Sequence, residues 1–220
     1  MFERLFGKKP QTPPPSRHGT LPAPLGLHLG AAVRLDSILS KVLGDGRFVL
    51  ELPEPGTPLL VQAQGTVDLG EGVKLHRFYL DDDWWLQVKV SGAGGEEGEG
   101  HDEILLFGFG DVLNPSTQAQ FEEIAATIGL PHFEYADKSY ARQWGVGSSQ
   151  SATTDYEERV YPKDDSSYET RHQDMLYARE VTGTSREELL LVSVETDENG
   201  SVSVVHSVGM RLERTDLEIT

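Results

Sequence analysis

Between residues 84 and 90 successive side chains alternate between two faces with the period of two that marks a half-buried β-strand. Trp84, Leu86, Val88 and Val90 fall on one face, and Trp85, Gln87 and Lys89 on the other. The acidic turn Asp81-Asp82-Asp83 returns this strand onto residues 73–80. Residues 59–69 join the pair through Gly70-Glu71-Gly72, so the pattern predicts a three-strand antiparallel meander. Residues 47–52 read as a further strand, stopped by Pro53 and Pro55. Residues 104–109 (ILLFGF) are apolar on both faces, as in a strand covered on each side. Residues 156–161 and 168–181 mix aromatic and branched side chains with charge and read as strands. Residues 188–195 and 201–212 flank Asp197-Glu198-Asn199-Gly200, and Asn-Gly between two β runs is a strong hairpin signal. In the last run Val202, Val204, His206, Val208 and Met210 share one face.

Two segments carry the helical period instead. Phe121, Ile124, Ala125 and Ile128 recur at helix spacing, with Asn114 suited to the N-cap and Pro115 to the first turn. Gly129 and Pro131 end the run. Asp36 caps a short helix near 37–43, closed by Gly44-Asp45-Gly46. The pattern therefore predicts an α+β fold: one domain on a mostly antiparallel sheet, with a main covering helix at about 115–128. The expected domain spans residues 25–220 and carries a glycine- and glutamate-rich loop at 91–102.

Residues 1–24 differ in kind. Phe2, Leu5 and Phe6 share one face of a helical wheel, and Arg4 and Lys8 lie together on another, followed by Lys9. Six prolines between Pro10 and Pro24 make the next stretch an extended tether. The whole chain has 220 residues and a formal charge of −17. Residues 1–20 hold Arg4, Lys8, Lys9 and Arg17 against Glu3, a net +3, so the remainder carries −20. Such a surface repels phosphate backbones, which argues against nucleic-acid binding. Three cations near an anionic leaflet contribute about 3 kcal/mol, and burial of two Phe and one Leu roughly 4–6 kcal/mol. Residues 1–9 are thus candidates for weak membrane contact or for a protein partner, with the oligomeric state open. The chain has no cysteine, which excludes a disulfide scaffold and thiol chemistry. The N-terminus lacks the apolar core of a secretory leader, and the expectation is a cytoplasmic protein.

Candidate chemistry is sparse. Gly108-Phe109-Gly110 leads from a strand towards a helix, but the entry Val112-Leu113-Asn114-Pro115 lacks phosphate-loop residues. Glu169-Thr170-Arg171-His172 has a di-iron spacing, yet on a strand Glu169 and His172 point to opposite faces. His206 on an apolar face reads as a buried histidine with a hydrogen-bond partner. Trp85, on the polar face of its strand, reads first as cross-strand packing, and it is also a candidate exposed aromatic contact. No catalytic set, metal set or cofactor motif can be assembled from spacing, and the expectation is a non-enzymatic protein.

Several segments together carry a family likeness: Arg4-Leu5-Phe6-Gly7-Lys8-Lys9, Pro24-Leu25-Gly26-Leu27, Gln62-Ala63-Gln64-Gly65, Val67-Asp68-Leu69-Gly70, Leu86-Gln87-Val88, Tyr140-Ala141-Arg142-Gln143-Trp144 and residues 188–195. With these the chain resembles the YjfK-like family of bacterial proteins, a domain of unknown function. The resemblance implies no established activity and no catalytic residues. It implies neighbours among membrane-stress proteins similar to PspA and ATP-grasp ligases similar to glutathionylspermidine synthase. Two roles follow as expectations. One is a cytoplasmic adaptor acting with envelope-stress components, peripheral at the inner membrane. The other is an accessory domain that binds a cationic small molecule such as a polyamine conjugate.

Overall fold

The structure, a computed structural model, describes residues 21–39, 46–54, 56–92 and 101–220, with no side-chain description for 101 and 102. The meander expected from the alternation is present as β3 (Ala63–Gly70), β4 (Val73–Tyr79) and β5 (Trp84–Ser91), and it continues into β6 (His101–Leu113). A second antiparallel meander follows later in the chain. It comprises β9 (Thr154–Pro162), β10 (Tyr168–Glu180), β11 (Glu187–Asp197) and β12 (Val202–Leu212). β6 pairs with β12, and β3 pairs with β9. Two four-strand sheets joined along both edges make a closed eight-stranded barrel. Closure pairs both edges of the eight-strand ring, which removes the aggregation hazard of an open edge there.

Two further sets of strands lie outside the ring. β1 (Ala32–Leu35), β2 (Leu59–Leu60) and β13 (Leu217–Ile219) form a small sheet in the order β13-β1-β2. The hairpin of β7 (His132–Tyr135) and β8 (Lys138–Arg142) continues from β10. The main apolar core lies between the outer face of the barrel and these layers. There Leu27, Val33, Leu35, Leu59, Val61 and Leu217 join Phe78, Trp84, Leu86, Val88, Ile104, Leu106, Leu190, Val192 and Met210 in one buried cluster. Expected α+β layering is thus corrected to a mostly β architecture, because the chain covers its sheet by closing it and by adding further strands.

The expected main helix is short. α1 (Gln118–Ala125) has eight residues and none is buried. Thr117, not Asn114, is its N-cap and accepts from the Gln120 amide at 3.3 Å. Phe121 and Ile124 reach the core only partly, and Ile128 is buried beyond the helix end. Near the N-terminus Asp36 accepts from the Ile38 amide and residues 37–39 are helical; 40–43 lie outside the described residues. Residues 47–52 are not a strand. The Val49 and Leu50 amides donate instead to Glu188 Oε1 at 2.7 and 2.8 Å. Glu188 is fully buried, and its other oxygen accepts from Tyr140 and Arg179. One carboxylate fastens this extended segment to the barrel. Gly200, at φ 79°, closes the β11–β12 hairpin as Asn199-Gly200 foretells.

Candidate functional site

The barrel interior is not an ordinary apolar core. Arg77 on β4 lies in its middle, opposite Gly65 on β3 and Gln87 on β5. Its Nη1 donates to Glu158 Oε2 at 2.8 Å, and its Nε to Gln87 Oε1 at 3.2 Å. Nη2 reaches the Tyr156 hydroxyl and lies 3.3 Å from Asp174 Oδ2, and Tyr156 in turn donates to that same Asp174 oxygen. Tyr79 shares its hydroxyl proton between the two oxygens of Glu158 at 2.9 and 3.0 Å. His172 brings Nε2 to 3.0 Å from Glu158 Oε2, a close contact not aligned as a hydrogen bond, while Nδ1 meets Ser193 Oγ at 3.1 Å. The side chains of Glu158 and Asp174 are fully buried, and those of Arg77 and His172 are 4% exposed. Gly65 makes this packing possible. A Cβ there would stand 1.6 Å from Glu158 Oε1, so only glycine lets the Glu158 side chain cross to Arg77.

Charges buried this deeply are stable only when paired. Burial pushes the Glu158 carboxyl up, but Arg77, His172 and Tyr79 reverse this and hold it down at about 2. Tyr79 and Tyr156 are pushed well above the ordinary phenol value, first by burial and then by neighbouring carboxylates. Their hydroxyls therefore stay protonated and act as donors.

This charged layer divides the interior into two cavities. The first, about 270 Å³, is walled by Tyr79, Trp85, Phe109 and Tyr168, with His172 and Glu195 beside them. The rings of Tyr79, Trp85 and Phe109 stand 6.2–6.5 Å apart pairwise. Glu195 faces His172 across the β10–β11 ladder, its Oε1 3.8 Å from Nδ1. Its side chain is 31% exposed, and burial raises its pKa despite His172 and Arg77. The second cavity, about 490 Å³, opens among Leu75, Leu105, Phe107, Trp144 and Leu176, with Asp174 in its wall. Arg77 and Leu191 border both.

Trp85 packs across strands as its first reading expects, and the alternative of an exposed contact is corrected to a buried position. It is 3% exposed, stacks on Phe107 at 4.5 Å, and carries the Arg77 guanidinium 5.0 Å from its ring centre. The reason is barrel closure, which turns the polar-looking face of β5 inward. Glu169 and His172 do diverge: Glu169 pairs with Arg159 in solvent, and His172 enters the barrel. His206 is buried against Phe133 and Tyr135 on the outer face, where desolvation lowers its pKa. Its Nδ1 has no hydrogen-bond partner among the described residues. Phe2, Arg4, Leu5, Phe6, Lys8 and Lys9 lie outside the described residues.

No transmembrane-length apolar helix occurs among the described residues. No solved structure matches this chain. The chain is 30% identical over 198 residues to the uncharacterized protein YjfK of Escherichia coli (strain K12), covering 89% of this chain and 85% of that protein. The family model described as protein of unknown function (DUF2491) matches residues 1–218, and the chain belongs to that family.

Proposed function

We propose that the protein is a binding module for an organic cation, held in the smaller cavity of the barrel. The observation that carries this reading is Glu195, a half-buried carboxylate beside the aromatic walls of Tyr79, Trp85, Phe109 and Tyr168. An ammonium group is attracted to ring faces and to a carboxylate of weakened hydration, and the combination is more selective than either alone. Arg77 brings no free positive charge there, since Glu158 and Asp174 neutralise it. Two carboxylates and Glu195 outnumber that one guanidinium, so the cavity disfavours anions. A polyamine or polyamine conjugate has the required chemistry. Spermidine at physiological salt is expected to bind saturably by calorimetry and to raise the thermal midpoint. Glu195→Gln removes the charge with little change of shape and should weaken binding about tenfold or more. Equal binding by Glu195→Gln, or equal stabilisation by magnesium at matched ionic strength, would sink the reading.

A second role rests on the sequence of residues 1–9. That basic, amphipathic peptide, opposite in sign to residues 21–220 with their −20, suits an adaptor that attaches the barrel to envelope-stress components at a membrane. Co-flotation with anionic liposomes compares the full chain with one starting at Leu21. Loss of flotation on truncation supports direct attachment, and flotation by neither chain removes it.

A further inference from the structure

We infer that the larger cavity binds a single-chain amphiphile with an anionic head, its alkyl chain inside the barrel and its head at Lys89. On β5, β6 and β12 this cavity is lined by Lys89, Glu103 and Arg211, and the smaller one by Trp85, Phe109 and Ser207, so the two lie towards opposite ends of the ring. Its volume of about 490 Å³ lies within the roughly 300–1,000 Å³ typical of small-molecule sites. Leu75, Leu105, Phe107, Leu176 and Leu191 wall it, and Trp144 packs beside them. Glu103 and Phe107 both line it and stand four residues apart on β6, about 13 Å at roughly 3.3 Å per residue, which is room for a medium-length alkyl chain. Such a chain removes the apolar walls from water.

The head follows from the three cations in the lining. Arg77, at the inner end, is shared between Glu158 and Asp174, which leaves it no pull on an anion. Arg211, with 57% of its side chain exposed, lies at the mouth and is paired with Glu103. Lys89 is the third, and among the described residues it has neither an ion pair nor a hydrogen bond. Its neighbour across the β5–β6 ladder is Glu103, which Arg211 already holds, and its neighbour on β4 is Leu75. Lys89 is half-buried and shares the mouth with the exposed Gln143 and Leu69. A carboxylate or phosphate there gains a charge-assisted bond, whereas the same group at the inner end would meet two buried carboxylates. That difference turns the head outward and the chain inward. The inference does not depend on the cation reading, because the two cavities share only Arg77 and Leu191 among their lining residues.

Sodium decanoate, kept below its micelle concentration, is the probe. It is titrated into the full chain by calorimetry and followed at the Trp144 indole N–H resonance. Saturable one-site binding is expected, with a shift of Trp144 and none of Trp84. Octanoate should bind at least about fivefold more weakly, since each methylene contributes about fourfold. Decylammonium should also bind at least about fivefold more weakly, although the −20 of residues 21–220 attracts cations in general. Decyl phosphate, titrated in parallel, separates a phosphate-headed amphiphile from a fatty acid by which of the two binds tighter. Lys89→Gln should weaken decanoate about fivefold and leave 1-decanol unchanged. The ligand comparisons use the unaltered protein and stand whatever that replacement does to the fold. Absence of saturable binding by both anions, equal affinity for decylammonium, or equal decanoate affinity in folded Lys89→Gln overturns the inference. Binding that leaves Trp144 unmoved, as capture by residues 1–9 would, overturns it too. Loss of spermidine binding alone overturns only the cation reading.

Discussion

Replacing Arg77 with methionine removes the one guanidinium facing Glu158 and Asp174 and leaves two fully buried carboxylates without it. The structure sets the magnitude. Glu158 is held at about 2 against an ordinary value of 4.5, and each pH unit of such a difference corresponds to about 1.4 kcal/mol. Net of burial, the groups around Glu158, Arg77 first and then His172 and Tyr79, therefore contribute roughly 3 kcal/mol at neutral pH, in line with the roughly 3–5 kcal/mol lost when one partner of a buried ion pair is deleted. A depressed carboxyl gives stability that is present above pH 4.5 and lost as pH falls through 2. In Arg77→Met the sign inverts, because burial alone raises Glu158 and penalises the folded state at neutral pH. The deficit relative to the parent should thus be full at pH 7 and shrink on acidification towards pH 4. Urea denaturation followed by tryptophan fluorescence at a series of pH values measures it. Arg77→Met/Glu158→Gln should recover part of the loss. A deficit below about 1 kcal/mol, or one unchanged between pH 7 and 4, would refute the charged layer.

Three other outcomes follow from particular contacts. Gly65→Ala drives a Cβ into Glu158 and should lower the thermal midpoint by roughly 5–10 °C, as expected for overpacking; a shift under one degree contradicts the packing of Glu158 over Gly65. Glu188→Ala frees the Val49 and Leu50 amides, and hydrogen exchange should show both losing protection, with a stability loss on the order of 3–5 kcal/mol. Retained protection at those two amides would mean the segment is held by something else. Spermidine affinity should fall on acidification, because the raised Glu195 carboxyl must be ionised to pair with an ammonium; pH-independent affinity between 7 and 5 argues against Glu195 as its partner.

Both hairpin-rich stretches were legible because their turns and alternation are local. Gly70-Glu71-Gly72, the Asp81–Asp83 turn and Asn199-Gly200 sit where strands reverse. Barrel closure was not legible, because it depends on pairings far apart in sequence, β3 with β9 and β6 with β12. Closure also inverts the usual meaning of polar positions. Gln87 alternates with apolar neighbours just as a solvent-facing residue does, and Glu158 and His172 lie among charged and polar ones, yet Arg77, Gln87, Glu158, His172 and Asp174 all face the interior. A signal was present in Gly65, a glycine inside a strand, which marks close approach by another chain segment. The helix was over-read because Phe121, Ile124 and Ile128 carry helical spacing, while the short α1 buries none of its own residues. Segment 47–52 has strand-like composition, but a Glu188 carboxylate satisfies its amides where a neighbouring strand would.

The three tryptophans stand at three separate places: Trp84 in the outer core, Trp85 at the smaller cavity and Trp144 at the larger one. Each gives one indole N–H resonance, assignable by single replacement with phenylalanine. Titration of the full chain with spermidine at physiological salt therefore reads the site directly. A saturable shift of the Trp85 indole, with Trp84 and Trp144 unmoved, is the result predicted for a cation held inside the barrel. An unmoved Trp85 indole, or equal drift of all three signals as salt alone would cause, would contradict it.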